Sequence, residues 1–122
     1  NPGGIRIGTA EIYRIVEAIP EITSSIVVGQ QYQSDTRVVL FVTLREGAEL
    51  TPNLVSSIKD NIRKGATPRH VPSIVRQVQD IPVTLSGKKV ELAVTKIVNG
   101  EDVKNRSALA NPDCLDEYVG LV

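Results

Sequence analysis

The chain has 122 residues, 41% of them hydrophobic, which is enough for one modest core and within the usual size of a single domain. Its 14 basic and 14 acidic side chains cancel, so no global field draws it onto nucleic acid or an anionic membrane. A single cysteine excludes an internal disulfide, no stretch has the length and apolarity of a bilayer span or signal peptide, and the expected location is the cytoplasm.

The opening "NPGGIRIGTAEIY" starts on turn residues without a methionine, so the chain reads as a fragment of something larger. Thr9 as a cap, Glu11 in the first turn and the stripe Ile12, Ile15, Val16 and Ile19 predict a helix over 10–18, ended by Pro20. "SSIVVGQQY" (24–32) is rich in β-branched residues, and "TRVVLFVTLR" (36–45) is a long apolar run with Asp35 in the turn before it. Together they predict a hairpin whose second strand is buried.

Thr51-Pro52 pairs a cap with a first-turn proline, and Leu54, Val55, Ile58 and Ile62 recur at helical spacing, so a second helix is expected over 52–63, stopping near Gly65. "SIVRQVQDI" (73–81) alternates in part and predicts a third strand. Pro82 then opens a loop carrying Ser86-Gly87-Lys88. Val90, Leu92, Ala93, Val94 and Ile97 predict a short helix up to Asn99-Gly100, and Asn111-Pro112 caps a last helix with Leu115, Tyr118 and Val119 on one side. The order gives an α+β fold, a small and largely antiparallel sheet with helices packed against it, as one domain over 1–122.

A lysine beside a glycine suggests phosphate. The nucleotide-binding P-loop is excluded, because Pro82 stands where the second glycine is needed and Lys89 where a magnesium-holding Ser or Thr is needed. Without that cradle of backbone N–H groups the segment is no nucleotide site by itself, and its lysine must act with something else.

Taken together, "GGIRIGTAEIY" (3–13) and "DIPVTLSGKKVE" (80–91) resemble two signatures of the C-terminal domain of the acyl-adenylate-forming ligases, the acyl-CoA synthetase superfamily. The first resembles the strand-turn-helix that opens this domain after the hinge, the second the loop that carries its catalytic lysine. Within the superfamily "TPRHVPSIV" (67–75), "GKKVELAVTKIVNG" (87–100) and "ANPDCLDEY" (110–118) look closest to the acetoacetyl-CoA synthetase branch. Acetyl-CoA synthetases, or other short-chain acyl-CoA synthetases, are the alternative. Acetyl-CoA synthetases usually carry an arginine soon after the lysine, where this chain has Val90-Glu91-Leu92.

The resemblance implies a two-step reaction in which a carboxylate attacks the α-phosphorus of ATP, and the thiol of CoA then displaces AMP. It implies an N-terminal adenylation domain as partner in the same chain, with ATP and CoA as substrates and Mg2+ arriving with ATP on that other domain. No cofactor is expected on this domain alone. Lys88 is the implied catalytic residue, with Gly87 permitting close approach of the loop and Ser86 bracing the turn. A lysine ammonium suits the task, since it is a compact charge with several donors for carboxylate and phosphate oxygens. The superfamily also implies control by acetylation of this lysine. Gly3, Gly4 and Arg6 match the strand that faces CoA and nucleotide, and Arg63 matches a basic residue near CoA phosphate.

Each assignment has a plainer reading. Lys88 in isolation is a solvated loop lysine, Lys89 a surface charge, Gly3, Gly4 and Gly8 turn glycines, and Arg63 a cation favoured by a helix C-terminus. Glu11 reads as a helix N-terminal acid, His70 as a loop-packing residue, and Cys114 as a small semi-buried hydrophobe. A rival of another class, a small RNA-binding module using Arg63, Lys64, Arg69 and Lys88, is opposed by the neutral charge and by the scarcity of aromatic stacking platforms.

Overall fold

The computed structural model describes residues 9–33, 35–66, 70–103 and 106–121. Helix α1 spans Thr9–Val16 and buries Ile12 and Val16, four positions apart on one face. It ends two residues earlier than its apolar stripe suggests. The Ile19 N–H bonds the Val16 carbonyl and the Ile22 N–H bonds the Ile19 carbonyl, at 3.1 and 3.0 Å, so two tight turns replace the last helical turn. Pro20 favours this outcome, because it disfavours helical backbone at the residue before it.

Strand β1 (Ile22–Tyr32) pairs antiparallel with strand β2 (Asp35–Leu44), with Val27 opposite Leu40 and Tyr32 opposite Asp35. Asp35 thus belongs to the ladder rather than to the turn before it. β2 is the central strand, and its stretch from Val39 to Thr43 is buried throughout, which is why its sequence runs almost uninterrupted in apolar residues.

Helix α2 (Pro52–Gly65) starts where expected: the Thr51 Oγ1 accepts a bond from the Leu54 N–H at 3.1 Å, and Pro52 occupies the first turn, where a missing N–H costs nothing. Its buried Ile58 and Ile62 face the sheet side, and its end presses on α1 so closely that a Cβ at Gly65 would lie 2.9 Å from the Ile15 Cδ1. The chain crosses through α2 to strand β3, Ile74–Gln77, which lies parallel to β2 with Val39 opposite Ile74. The third strand is therefore shorter than the 73–81 read from alternation, and the sheet carries one parallel edge. A parallel pair of neighbouring strands needs such a crossover, and α2 supplies it.

Helix α3 spans Glu91–Val98, and the last helical segment, Pro112–Tyr118, is 3₁₀ rather than α. Asn111 makes no side-chain cap to it, because its amide is engaged elsewhere.

The alternation of side chains along the strands divides two cores. On one face Val27, Leu40, Val42 and Val75 meet Ile12 and Val16 of α1 with Ile58 and Ile62 of α2. On the other, Ile26, Val28, Val39 and Phe41 meet Val78, Ile81, Val94 and Tyr118, with the Phe41 and Tyr118 rings edge to face at 4.9 Å. The sheet is thus sandwiched, with α1 and α2 on one side and α3 and the 3₁₀ segment on the other. No helix among the described residues is long and apolar enough to cross a membrane.

Candidate functional site: a clamped lysine hairpin

Residues 82–90 form a small hairpin in which Val83 pairs antiparallel with Lys89. The Thr84 N–H bonds the Lys88 carbonyl at 2.8 Å, and the Val90 N–H bonds the Pro82 carbonyl at 3.0 Å. At the tip, the Gly87 N–H returns to the Thr84 carbonyl at 2.9 Å, and Gly87 takes φ +90°. This is the pattern of a three-residue hairpin loop closed by a glycine in left-handed backbone. A Cβ at Gly87 would meet nothing within 4 Å, so within this chain the glycine answers a backbone demand rather than a crowded one. Ser86 braces the turn by sharing a hydrogen bond with Thr84 Oγ1 at 2.9 Å, and that same oxygen accepts from the Lys88 N–H at 3.2 Å.

The hairpin is mounted on the C-terminal segment by polar clamps. The Ala110 N–H bonds the Val83 carbonyl at 2.9 Å, and Thr84 forms an isolated bridge with Leu109. Asn111 Oδ1 accepts from the Val83 N–H at 3.0 Å, while its Nδ2 donates to Asp80 Oδ2 and to the Ile81 carbonyl, each at 2.8 Å. Further back, the Tyr118 hydroxyl donates to the Asp80 carbonyl at 2.7 Å, and Glu117 Oε1 accepts from the Gln79 N–H at 2.7 Å. A connector with little ladder of its own thereby has its backbone groups satisfied by side chains. Burial holds the Tyr118 phenol well above its ordinary pKa, with the neighbouring Cys114 and the Glu117 and Asp80 carboxylates adding to the effect, so it stays a donor.

The two adjacent lysines differ sharply. Lys88 is exposed, and its ammonium has no partner among the described residues. Lys89 points the other way, as alternation in an extended segment requires, and reaches helix α1. Its ammonium pairs with Glu17 Oε2 and lies 3.6 Å from the centre of the Tyr13 ring. Glu17 Oε2 also accepts from the Ser25 hydroxyl at 2.8 Å. The Tyr13 hydroxyl donates to Glu91 Oε2 at 2.5 Å and accepts from the Val27 N–H at 3.1 Å. Burial first, then the bond to Glu91, pushes the Tyr13 phenol far above its ordinary value. Reading Lys89 as a free surface charge is therefore incorrect: its side chain is only 23% exposed and is engaged twice.

Other candidates stand apart from the hairpin. Arg63, in the last turn of α2, pairs with Asp60 on its own helix at 2.8 Å, and no described contact joins it to Lys88. Glu11 pairs with Arg14 at 2.5 Å in α1, in keeping with a helix acid. His70 is half-buried beside Val71, which packs at the margin of the first core. Burial, followed by the Asp80 and Glu117 carboxylates, pushes the Cys114 thiol up to about 11, which leaves it a poor nucleophile at neutral pH. Gly3, Gly4, Gly8, Arg6 and Arg69 lie outside the described residues. Sequence reasoning missed Tyr13, Glu17 and Asn111. Tyr13 ends the first signature stretch without having been singled out, Glu17 carried no motif, and Asn111 before Pro112 imitates a helix cap.

Beside the hairpin, Val90, Leu92, Ala93, Val103 and Leu109 line an apolar groove of about 290 Å³. Leu85 at the tip is 80% exposed and Leu92 is 63% exposed.

The model of the AMP-binding enzyme C-terminal domain matches residues 11–88, from the first turn of α1 to Lys88 of the hairpin. The chain belongs to this family. Among its relatives, the acetoacetyl-coenzyme A synthetase of Rhizobium meliloti (strain 1021) is 56% identical over 121 residues, which is 99% of this chain and 19% of that protein. Among solved structures, the acetoacetyl-CoA synthetase from Streptomyces lividans superposes with a TM-score of 0.85 at 40% identity, covering 93% of this chain and 18% of that one. A Brucella canis acyl-CoA synthetase superposes with a TM-score of 0.63 at 29% identity over 70% of this chain and 16% of that one. The chain thus spans about a fifth of the relatives it matches. Its α+β architecture is that of the family's C-terminal domain.

Proposed function

We propose that this domain supplies the catalytic lysine of an ATP-dependent, AMP-forming acid–CoA ligase that converts acetoacetate, ATP and CoA to acetoacetyl-CoA, AMP and diphosphate. On this reading residues 1–122 are its C-terminal mobile domain, partnered by an N-terminal adenylation domain of the same chain. The reading rests first on Lys88, an unpaired ammonium at the end of a hairpin whose base is clamped on both sides. The similarity to acetoacetyl-CoA synthetases over nearly the whole chain supports the choice of acid. The exposed Leu85 and Leu92 beside an apolar groove support a facing surface on another domain.

In the first step a carboxylate oxygen of acetoacetate bonds to the α-phosphorus of ATP, and pyrophosphate leaves with the electron pair of the broken P–O bond. Charge on the α-phosphate oxygens and the incoming carboxylate needs a donor fixed in place, and the Lys88 ammonium fills that role. Gly87 and Ser86 hold the turn that aims it. Mg2+ enters as the companion of ATP, whose binding belongs to the N-terminal domain. In the second step the CoA sulfur gives up its proton and bonds to the acyl carbon, and AMP leaves with the electron pair of the broken C–O bond. Gly3, Gly4 and Arg6 are assigned to the CoA- and nucleotide-facing strand, and Arg63 to CoA phosphate, where it would exchange Asp60 for the ligand.

The test separates the half-reactions in the full-length enzyme. Lys88→Ala is expected to lower adenylation roughly 10²–10³-fold, the effect of losing one transition-state donor, while thioester formation from supplied acetoacetyl-adenylate changes little. Equal loss in both steps would overturn the role given to Lys88. Turnover by residues 1–122 alone, followed as pyrophosphate release, would overturn the two-domain reading.

A further inference from the structure

Lys89 lies one residue beyond the end of the family match, and its side chain ties the hairpin to the rest of the domain. Its aliphatic stem crosses to the end of α1, where the ammonium meets the Tyr13 ring face and the carboxylate of Glu17, one residue beyond the helix. Each partner is itself fixed. Glu17 is held by the Ser25 hydroxyl of β1 at 2.8 Å, and Tyr13 by the Val27 N–H at 3.1 Å and by Glu91 at 2.5 Å. The chain Ser25, Glu17, Lys89, Tyr13, Glu91 therefore links the sheet, α1, the outgoing hairpin strand and the first turn of α3.

Two features make this more than a surface ion pair. The Lys89 and Glu17 side chains are 23% and 32% exposed, so solvent screens them less than the open Arg63–Asp60 pair, at 53% and 54%. The ammonium also has two acceptors of different kinds, a carboxylate edge and a ring face, which fix its direction as well as its distance.

Lys88 and Lys89 are consecutive in an extended segment, so fixing one side chain fixes the direction in which the other leaves the backbone. We infer that Lys89, anchored by Glu17 and Tyr13, is a positioning residue that sets the aim of the Lys88 ammonium toward the adenylation centre. This rests on the role proposed for Lys88. The anchoring of the hairpin to α1 can nevertheless be tested without it.

The experiment compares Lys88→Ala, Lys89→Met, Lys89→Arg and Glu17→Gln in the full-length enzyme. Each half-reaction is followed, together with hydrogen exchange at the Thr84 and Val90 amides that close the hairpin. Lys89→Met and Glu17→Gln are expected to lower the adenylation kcat about ten- to a hundredfold, the effect of misplacing a reacting group by an ångström or less. KM for ATP and acetoacetate should be unchanged, thioester formation near normal, and exchange at the two amides faster. Lys89→Arg keeps the charge and the ring contact and should recover most of the rate. A Lys89→Met enzyme that adenylates within twofold of wild type, or that loses both half-reactions alike, overturns the proposal. Should Lys89→Met fold poorly, Glu17→Gln decides, since it removes the charge and keeps the side-chain shape. If Lys88→Ala is harmless, the reading of Lys88 fails. The anchoring then stands only if exchange quickens in Lys89→Met, and it falls if exchange does not change.

Discussion

The two sides of the sheet are built on different principles. Under α1 and α2, Ile12, Val16, Ile58 and Ile62 lie against Val27, Leu40, Val42 and Val75, and the helices owe their place to area removed from water. On the other side Phe41, Val94 and Tyr118 form an apolar centre, but the connector and hairpin beyond it depend on individual polar contacts from Asn111, Tyr118, Glu117 and Lys89. Apolar packing tolerates small shifts in direction, whereas a hydrogen bond weakens steeply as its geometry degrades. If Lys88 has the role proposed for it, its backbone is held by directional contacts, on a base that packing provides.

The comparison is broken most severely at the apolar base on which the connector and hairpin stand. Phe41 is fully buried on the central strand and stacks edge to face on Tyr118. Phe41→Ala is expected to cost about 3–5 kcal/mol, through lost burial and the cavity left behind. Denaturant unfolding of residues 1–122 would measure it. Because Tyr118 also holds Asp80 through its hydroxyl, the loss should carry into the connector, and exchange at the Gln79 amide should rise with it. A loss below about 1 kcal/mol would contradict the packing argument.

Asn111→Ala isolates the directional side. It removes three hydrogen bonds at once and leaves the Val83 N–H and the Ile81 carbonyl without their partner. The expected cost is about 1–3 kcal/mol. Asn111→Asp should do no better, since it loses both donors and sets a carboxylate against Asp80. Unlike Phe41→Ala, these variants should leave α1, α2 and the β1–β2 ladder with native exchange protection. Uniform loss of protection across the sheet would mean that the two sides are not separable as described.

The same contrast explains what the sequence disclosed. Helical spacing marked α2 within two residues, and the β-branched runs marked β1 and β2, because burial writes a period into a sequence. The direction and length of β3 were not legible. "IVRQ" has no pattern that distinguishes a parallel neighbour from an antiparallel one. Glycine beside lysine pointed to Lys88, but the Glu17 and Tyr13 partners of Lys89 are more than seventy positions away, with |i−j| of 72 for the carboxylate. Contacts of that range leave no local signal. Asn111 gave a misleading one, because a residue that clamps a distant strand has the same identity as a residue that caps the next helix.

The smallest expected effect is at Gly87, where aim and stability can be separated. Gly87 adopts φ +90° with open space around it, so substitution introduces backbone strain and no clash. Gly87→Ala should cost roughly 1–2 kcal/mol, the strain of left-handed backbone for a side chain with a Cβ. That cost falls on a solvent-exposed tip that can open locally, so the unfolding midpoint of residues 1–122 should move less than for Asn111→Ala. Gly87→Asn should be milder still, because asparagine tolerates this region better than other residues with a side chain. In the full-length enzyme the adenylation rate should follow the same order, with glycine fastest, asparagine intermediate and alanine slowest, while thioester formation stays level. Should Gly87→Ala adenylate as fast as wild type, the left-handed turn would have no part in aiming Lys88, and the clamps at Asn111 and Lys89 would have to account for it without the tip.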